Sequence, residues 1–349
     1  MTPRLTILDG VPLAPFTTMG IGGPARHYTR IGEAEQLACA LAWARERDLG
    51  VLVLGGGSNL LIGDEGFPGL VVHVVIDGVE FAVRGGSTDV TAGAGESWDG
   101  LVAAAVGRGL AGVECLSGIP GLVGATPIQN VGAYGQEVAE TIVCVEVVER
   151  RTAEVLSITN AECAFGYRDS RFKQADRDRY VVTSVTYRLV NDGAPAIRYP
   201  ELRKHLEVAG VEQPTLEAVR EAVLAIRRRK SMVVDTTDPD SRSAGSFFTN
   251  PIVTAEVADR IGIEGMPRYP SGEHVKLSAA WLIEQAGFVR GHVAGNVGLS
   301  TKHTLAIVNR GGGTAREVVA LAREIRRRVQ DRFGVTLVPE PVFANIPDY

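Results

Sequence analysis

A basic excess, long apolar runs and paired cysteines are all lacking in this chain of 349 residues. A formal charge of −5 excludes a general nucleic-acid binder, which carries a strong basic surplus. A local basic cluster can still hold one anionic ligand. Among the more apolar stretches, Leu70–Ile76 is interrupted by His73 and is far shorter than the roughly 20 residues a membrane helix needs. Met1–Gly20 lacks the basic start and apolar run of a signal peptide, so a soluble, cytoplasmic protein without membrane attachment is expected. Cys39, Cys115, Cys144 and Cys163 show no Cys-x-x-Cys spacing, which argues against a disulfide framework or a zinc site and for reduced, mostly buried thiols. The histidines show no metal-ligand spacing either, and no metal is expected. Neither a Rossmann glycine fingerprint nor a P-loop is found.

What is present suffices for two or three domains with buried cores, since 45% of the residues are hydrophobic. Glu33–Leu49 reads as a helix, with Leu37, Leu41 and Ala44 on one face and Gly50 as its stop. Strand-like runs follow at Val51–Leu54, Leu70–Ile76, Asp89–Ala92, Thr141–Glu149 and Tyr180–Leu189, the last alternating cleanly. Trp98–Arg108 and Thr215–Arg229 read as helices, and Arg227–Lys230 puts positive charge at the C-terminal end of the second. Asp235–Ser243 marks a linker or loop, and a further helix is expected near Ser278–Ala286. A capping box at Thr314 and Glu317 opens another helix that runs to Gly334. The organisation is α+β, with too few β-α-β units for a doubly wound sheet.

Two glycine-rich stretches stand out. Leu54–Leu60, reading Leu-Gly-Gly-Gly-Ser-Asn-Leu, follows a strand, where glycine lets backbone N–H groups approach phosphate oxygens. Gly118–Gly135 holds clustered glycines, two prolines and the pair Gln129-Asn130, a composition suited to a fixed loop around a ligand. Each stretch could instead be a structural turn. A hydroxyl, a guanidinium and a carboxyl group sit in three further distinctive stretches: Gly245–Pro251, Gly166–Ser170 and Val338–Glu340. Ser246 alone reads as a turn residue, Arg168 as a partner for Asp169, and Glu340 as a surface carboxylate.

Taken with Thr18–Ala25, these stretches resemble the UDP-N-acetylenolpyruvoylglucosamine reductase (MurB) family of peptidoglycan synthesis. The resemblance runs from about Phe16 to Phe343 and is most specific at Ile128–Gly135, Gly166–Phe172 and Gly245–Pro251. It implies an FAD-binding fold of the PCMH or vanillyl-alcohol-oxidase type in two subdomains, plus a C-terminal α+β substrate-binding domain. The implied divisions are 1–70, then 71–214 completed by 335–349, then 215–334 with its connecting helix. Non-covalent FAD is expected against Leu54, Gly55, Gly56, Gly57, Ser58, Asn59 and Leu60. The second loop adds Gly118, Ile119, Pro120, Gly121, Gly124, Ala125, Ile128, Gln129, Asn130, Gly132, Ala133, Tyr134 and Gly135.

The resemblance further implies NADPH as hydride donor and UDP-N-acetylglucosamine enolpyruvate as substrate, reduced to UDP-N-acetylmuramate by a monomeric enzyme. The family's catalytic serine falls on Ser246, its active-site arginine on Arg168 and its C-terminal glutamate on Glu340. Serine is a weak acid, suited to protonating a very basic carbon, and the planar fork of arginine suits a carboxylate that gains charge during reaction. Where the family commonly reads Glu-Pro-Glu-Val, this chain reads Val338-Pro339-Glu340-Pro341, which spares the catalytic position and leaves the local backbone open. Arg227, Lys230, Asn250 and Gln285 match substrate-side positions, and Tyr199 resembles the tyrosine of a mobile loop that closes over the UDP group. Two other readings compete. An oxidase of the same flavin fold would leave the Ser/Arg/Glu set unexplained, and a silent nucleotide-binding regulator predicts loss of the serine or glutamate.

Overall fold

The computed structural model describes residues 5–347, which fall into two compact units. One takes the described residues up to Val11 with Ala25–Gly57 and Phe67–Val233. The other takes Pro12–Pro24, Ser58–Gly66 and the described residues from Val234 on.

The first unit is built around the strand Tyr180–Asn191, whose alternation buries Val181, Thr183, Val185, Tyr187 and Leu189 on one face. It pairs antiparallel with Ile142–Glu149 on one side and Ser87–Gly93 on the other. A smaller sheet holds the parallel strands Pro24–Ile31, Phe67–Val74 and Val51–Leu54. Helix α1 (Ala34–Arg45) starts at a capping box between Glu33 and Gln36 and buries Leu37, Ala40, Leu41 and Ala44. Its stop is not Gly50. Asp48 takes the left-handed conformation at φ +52, and Leu49 N–H reaches back to the Ala44 carbonyl, a closure that aspartate tolerates better than most residues.

Helix α2 (Trp98–Val106) is capped by the Ser97 hydroxyl. Helix α3 (Pro200–Val208) is absent from the sequence reading. It packs on α4 (Leu216–Arg229) through Leu202, Leu206, Val219, Val223 and Ile226, with Cys115 beneath. Both helices lie within the first compact unit.

The second unit holds α5 (Ala255–Ile261), α6 (Ala279–Gln285), α7 (Ala315–Phe333) and short strands. The Thr314–Glu317 capping box opens α7, and Gly334 closes it at φ +68, as the sequence predicts. Leu60–Ile62 pairs in parallel with Val342–Ala344, which brings residue 59 beside the Glu340 segment. Among the described residues, no helix is long and apolar enough to cross a membrane, and no group of three acidic, histidine or cysteine side chains is placed to hold a metal.

Candidate active site

The first glycine stretch leaves the end of the parallel strand Val51–Leu54, with Leu54 buried and Gly57 at φ +58. It lies directly against the second. A Cβ on Gly56 would stand 3.0 Å from the Gly121 Cα, so only glycine lets these two backbones touch. Gly124 is held equally close, since a Cβ there would come within 2.6 Å of the Ala94 Cβ while its N–H donates to the Ala94 carbonyl at 2.9 Å. Ile119 and Pro120 are half-buried between these contacts, and Ala125 is exposed. The two loops meet backbone to backbone at Gly56 and Gly121, with the Leu122 side chain packed beside them, and glycine-rich main chain of this kind fits an anionic dinucleotide.

Further along, Asn130 takes a left-handed φ of +46 and is buried. Its amide nitrogen donates to Glu137 at 2.8 Å and to the Gly166 carbonyl at 2.9 Å, while its oxygen accepts from Ala139 N–H. Those bonds join the second loop to the Gly166–Ser170 turn. In that turn Arg168 has φ +54, and its guanidinium donates to the carbonyls of Asn130 at 3.4 Å and Gly132 at 2.5 Å. Asp169 instead accepts from Ser170 N–H and the Gln174 amide. Ser170 closes the junction by donating to the Ile128 carbonyl at 2.5 Å. Gln129 is half-buried on the same loop.

Gly132-Ala133 and Gln136-Glu137 then form a short hairpin. Its two turn residues, Tyr134 at φ +49 and Gly135 at φ +85, have the left-handed pair of a type I′ turn. The Tyr134 ring meets Tyr199 edge to face at 5.5 Å. Burial pushes the Tyr134 phenol up to about 12, against the lowering pull of Arg227. Tyr199 is the N-cap of α3 and 41% exposed. Nearby, Lys230 donates to Glu201 at 2.7 Å.

Arg227 is the most constrained cation here. Its Nη2 donates to the Met232 carbonyl at 2.7 Å, while its buried Nε has no hydrogen-bond partner. Burial depresses its pKa; the neighbouring Tyr134 and Asp99 oppose that shift, and Arg168 adds to it. A buried donor left unmatched is what an anionic group brought to this place would satisfy. Gly118, at φ +71, is held close to the same helix: a Cβ there would come within 2.7 Å of the Leu224 side chain and make an ordinary 3.5 Å contact with this Nε.

Sequence reasoning missed the residues that hold this corner. Asp99, in the first turn of α2, accepts from Gly118 N–H at 2.6 Å and from Arg220 at 2.6 and 2.9 Å. Burial raises the Asp99 pKa, but the Arg220 and Gly118 hydrogen bonds outweigh it and hold the carboxyl below its ordinary value. Arg220 precedes Arg227 by seven residues, two helical turns, so the two project from one face of α4. That spacing was the available signal.

In the second unit, Ser246 follows Gly245 at φ +72, a conformation that favours glycine. Phe247 N–H donates to the Leu305 carbonyl, and the Phe247 carbonyl accepts from Glu340 N–H at 2.9 Å. Phe248 bridges to Pro339, and Thr249 N–H donates to Val338. Ser246 and Glu340, distant in sequence, thus lie on adjoining extended segments, both half-buried. Asn59 seals the pair of segments by donating its amide to the Glu340 carbonyl at 3.2 Å and accepting from Val342 N–H. Ser58 is half-buried and Leu60 buried beside it. Asn250 accepts from Ala279 N–H at the start of α6, and Gln285 ends that helix, its carbonyl accepting from Arg332. Ser246, Glu340, Asn250 and Gln285 therefore belong to one unit; Arg168, Tyr199, Arg227 and Lys230 belong to the other.

A family model described as an FAD binding domain matches residues 25–159, and one described as the UDP-N-acetylenolpyruvoylglucosamine reductase C-terminal domain matches residues 238–344. The chain is 49% identical to the UDP-N-acetylenolpyruvoylglucosamine reductase of Thermobifida fusca, over 96% of this chain and 97% of that one. It is 50% identical to the Streptomyces coelicolor protein of the same name, over 97% and 90%. The solved MurB structure from Thermus caldophilus superposes with a TM-score of 0.65 at 27% identity, covering 98% of this chain and 99% of that one. The expected α+β fold, an FAD-binding domain followed by the family's C-terminal domain, is borne out. This chain belongs to the UDP-N-acetylenolpyruvoylglucosamine reductase family of FAD-dependent oxidoreductases.

Proposed function

We propose that the chain reduces UDP-N-acetylglucosamine enolpyruvate to UDP-N-acetylmuramate in peptidoglycan precursor synthesis, with NADPH as the source of electrons. The observation that carries this reading is the register between the Ser246 and Glu340 segments, where Phe247 and Glu340 share a 2.9 Å backbone bond. It gives a weak acid and a carboxyl group to one small region, which neither competing reading requires.

FAD, which the residues assigned in Leu54–Leu60 and Gly118–Gly135 would hold, would supply hydride-transfer chemistry toward the methylene carbon of the enolpyruvyl group. Addition of that hydride moves an electron pair toward the substrate carboxylate. Arg168, its fork already oriented by the Asn130 and Gly132 carbonyls, is the residue we assign to hold that carboxylate. Glu340, between Pro339 and Pro341, keeps its carboxyl group on a stiff segment and, when protonated, adds a hydrogen bond to the same charge. The Ser246 hydroxyl then gives its proton to the carbon next to the carboxylate, completing the lactyl ether. Hydride and proton add across one double bond, so electrons and atoms balance. Tyr199, Arg227 and Lys230 are assigned to the UDP moiety, whose diphosphate would meet the buried Arg227 Nε, and Asn250 and Gln285 to the rest of the sugar nucleotide. We assign FAD to the two N-terminal subdomains and the sugar nucleotide to the C-terminal domain with its connecting helix.

Ser246→Ala tests the assignment through the two half-reactions. Flavin reduction by NADPH should proceed nearly as in the wild type, while reoxidation by the enolpyruvyl substrate slows by about 10²–10⁴-fold. Equal damage to both half-reactions would remove the proton-donor role.

A further inference from the structure

We propose that Glu114 is a positioning residue for the sugar nucleotide, fastening the Tyr134 hairpin and the root of the Tyr199 segment to a single buried point. The inference rests on the reading that Tyr199 contacts that ligand.

Glu114 is fully buried, at 0% exposure, in a short helical turn over Glu114–Leu116. Its carboxyl oxygens meet three amide donors from three separate parts of the chain. Oε2 accepts from Gly112 N–H at 2.8 Å, and Oε1 accepts from the Gln136 amide at 2.8 Å and from Ala196 N–H at 2.8 Å. Gln136 directly follows the Tyr134-Gly135 turn, and its own oxygen accepts from Cys115 N–H at 2.8 Å. The Cys115 thiol donates to the Ala196 carbonyl at 3.0 Å. Consecutive residues therefore grip Ala196 by both its N–H and its carbonyl, three positions before Tyr199.

Beyond that grip the chain turns outward. Arg198 and Tyr199 are exposed, Arg198 pairing with Glu140 at 2.8 Å and with the Gly135 carbonyl at 3.2 Å. The two tyrosine rings, one on each tethered segment, meet at 5.5 Å. A group that fixes Gln136 and Ala196 at once helps set the spacing between those rings. The group needs to be a carboxyl. An amide in its place would turn an NH2 toward N–H donors whichever way it sat, leaving a buried donor unmatched.

The test is a double-mutant cycle on the FAD-loaded enzyme, read as the Kd for UDP-N-acetylmuramate by calorimetry, with flavin content and melting temperature as controls. Tyr199→Ala should weaken binding about tenfold and Glu114→Gln about fivefold, whereas adding Glu114→Gln to Tyr199→Ala should cost less than about twofold, because coupled residues are not additive. Equal fold-losses in both backgrounds would make Glu114 a general structural residue and overturn the inference. Unchanged binding in Tyr199→Ala alone would overturn the reading of Tyr199, and the role of Glu114 with it. If Glu114→Gln does not fold, Gln136→Met, which removes the amide that donates to Glu114, enters the same cycle under the same criteria.

Discussion

Asp99 shows how a single side chain can arrange a site from which it is itself set back. It ties the loop residue Gly118 to Arg220 on α4, and α4 carries Arg227. Hydrogen bonding lowers its pKa in the folded protein, so folding is favoured above the unfolded value of about 4, and that contribution is lost as pH falls through the lower folded value. Asp99→Asn should therefore destabilise the protein by about 1–2 kcal/mol at pH 7, a figure discounted because the side chain is 37% exposed. The gap from wild type should shrink below about pH 4, as Asp99 takes up its proton in both states. Melting temperatures of both proteins across pH 3–8 check this, and a constant gap would contradict it. Ser246, Arg168 and Glu340 stand in locally distinctive stretches, but alone they read as a turn residue, an ion-pair partner and a surface carboxylate, and the roles proposed for them come from the family resemblance. Asp99 and Glu114 were not legible in the sequence. Their partners lie as far away as positions 220 and 196, and a carboxylate without its partners in view looks like surface.

Elements with strong local signals were read close to their observed limits. The alternation of residues 180–189 and the capping box at Thr314 are complete statements within a few residues, so the strand and α7 could be recognised without tertiary contacts. The Pro24–Ile31 strand was invisible because Arg26, His27 and Arg30 interrupt its apolar pattern, and its order comes from parallel pairing with Phe67–Val74. The α1 stop was misplaced because glycine is the usual left-handed residue and Asp48 takes that place here. Two substitutions separate helix stability from cofactor holding. Thr314→Ala should cost about 1 kcal/mol of stability by loss of the cap, with flavin content unchanged. Gly124→Ala should push its loop off Ala94 and lower the flavin bound per chain, read from the ratio of visible to ultraviolet absorbance. Full flavin content in Gly124→Ala would contradict the close packing assigned to that loop.

For the molecule as a whole, the residues assigned to the proposed reaction fall in two compact units, with the glycines of the two glycine-rich loops, Arg168 and Arg227 in one and Ser246 and Glu340 in the other. The proposed reaction needs a reduced flavin to be discharged by the enolpyruvyl substrate and not by oxygen. The decisive measurement is anaerobic: reduce the flavin of the purified protein with NADPH, add UDP-N-acetylglucosamine enolpyruvate, and follow flavin absorbance and product together. Rapid reoxidation, with one lactyl ether formed per flavin, is the predicted result. A flavin that stays reduced until oxygen is admitted would contradict the account and favour an oxidase.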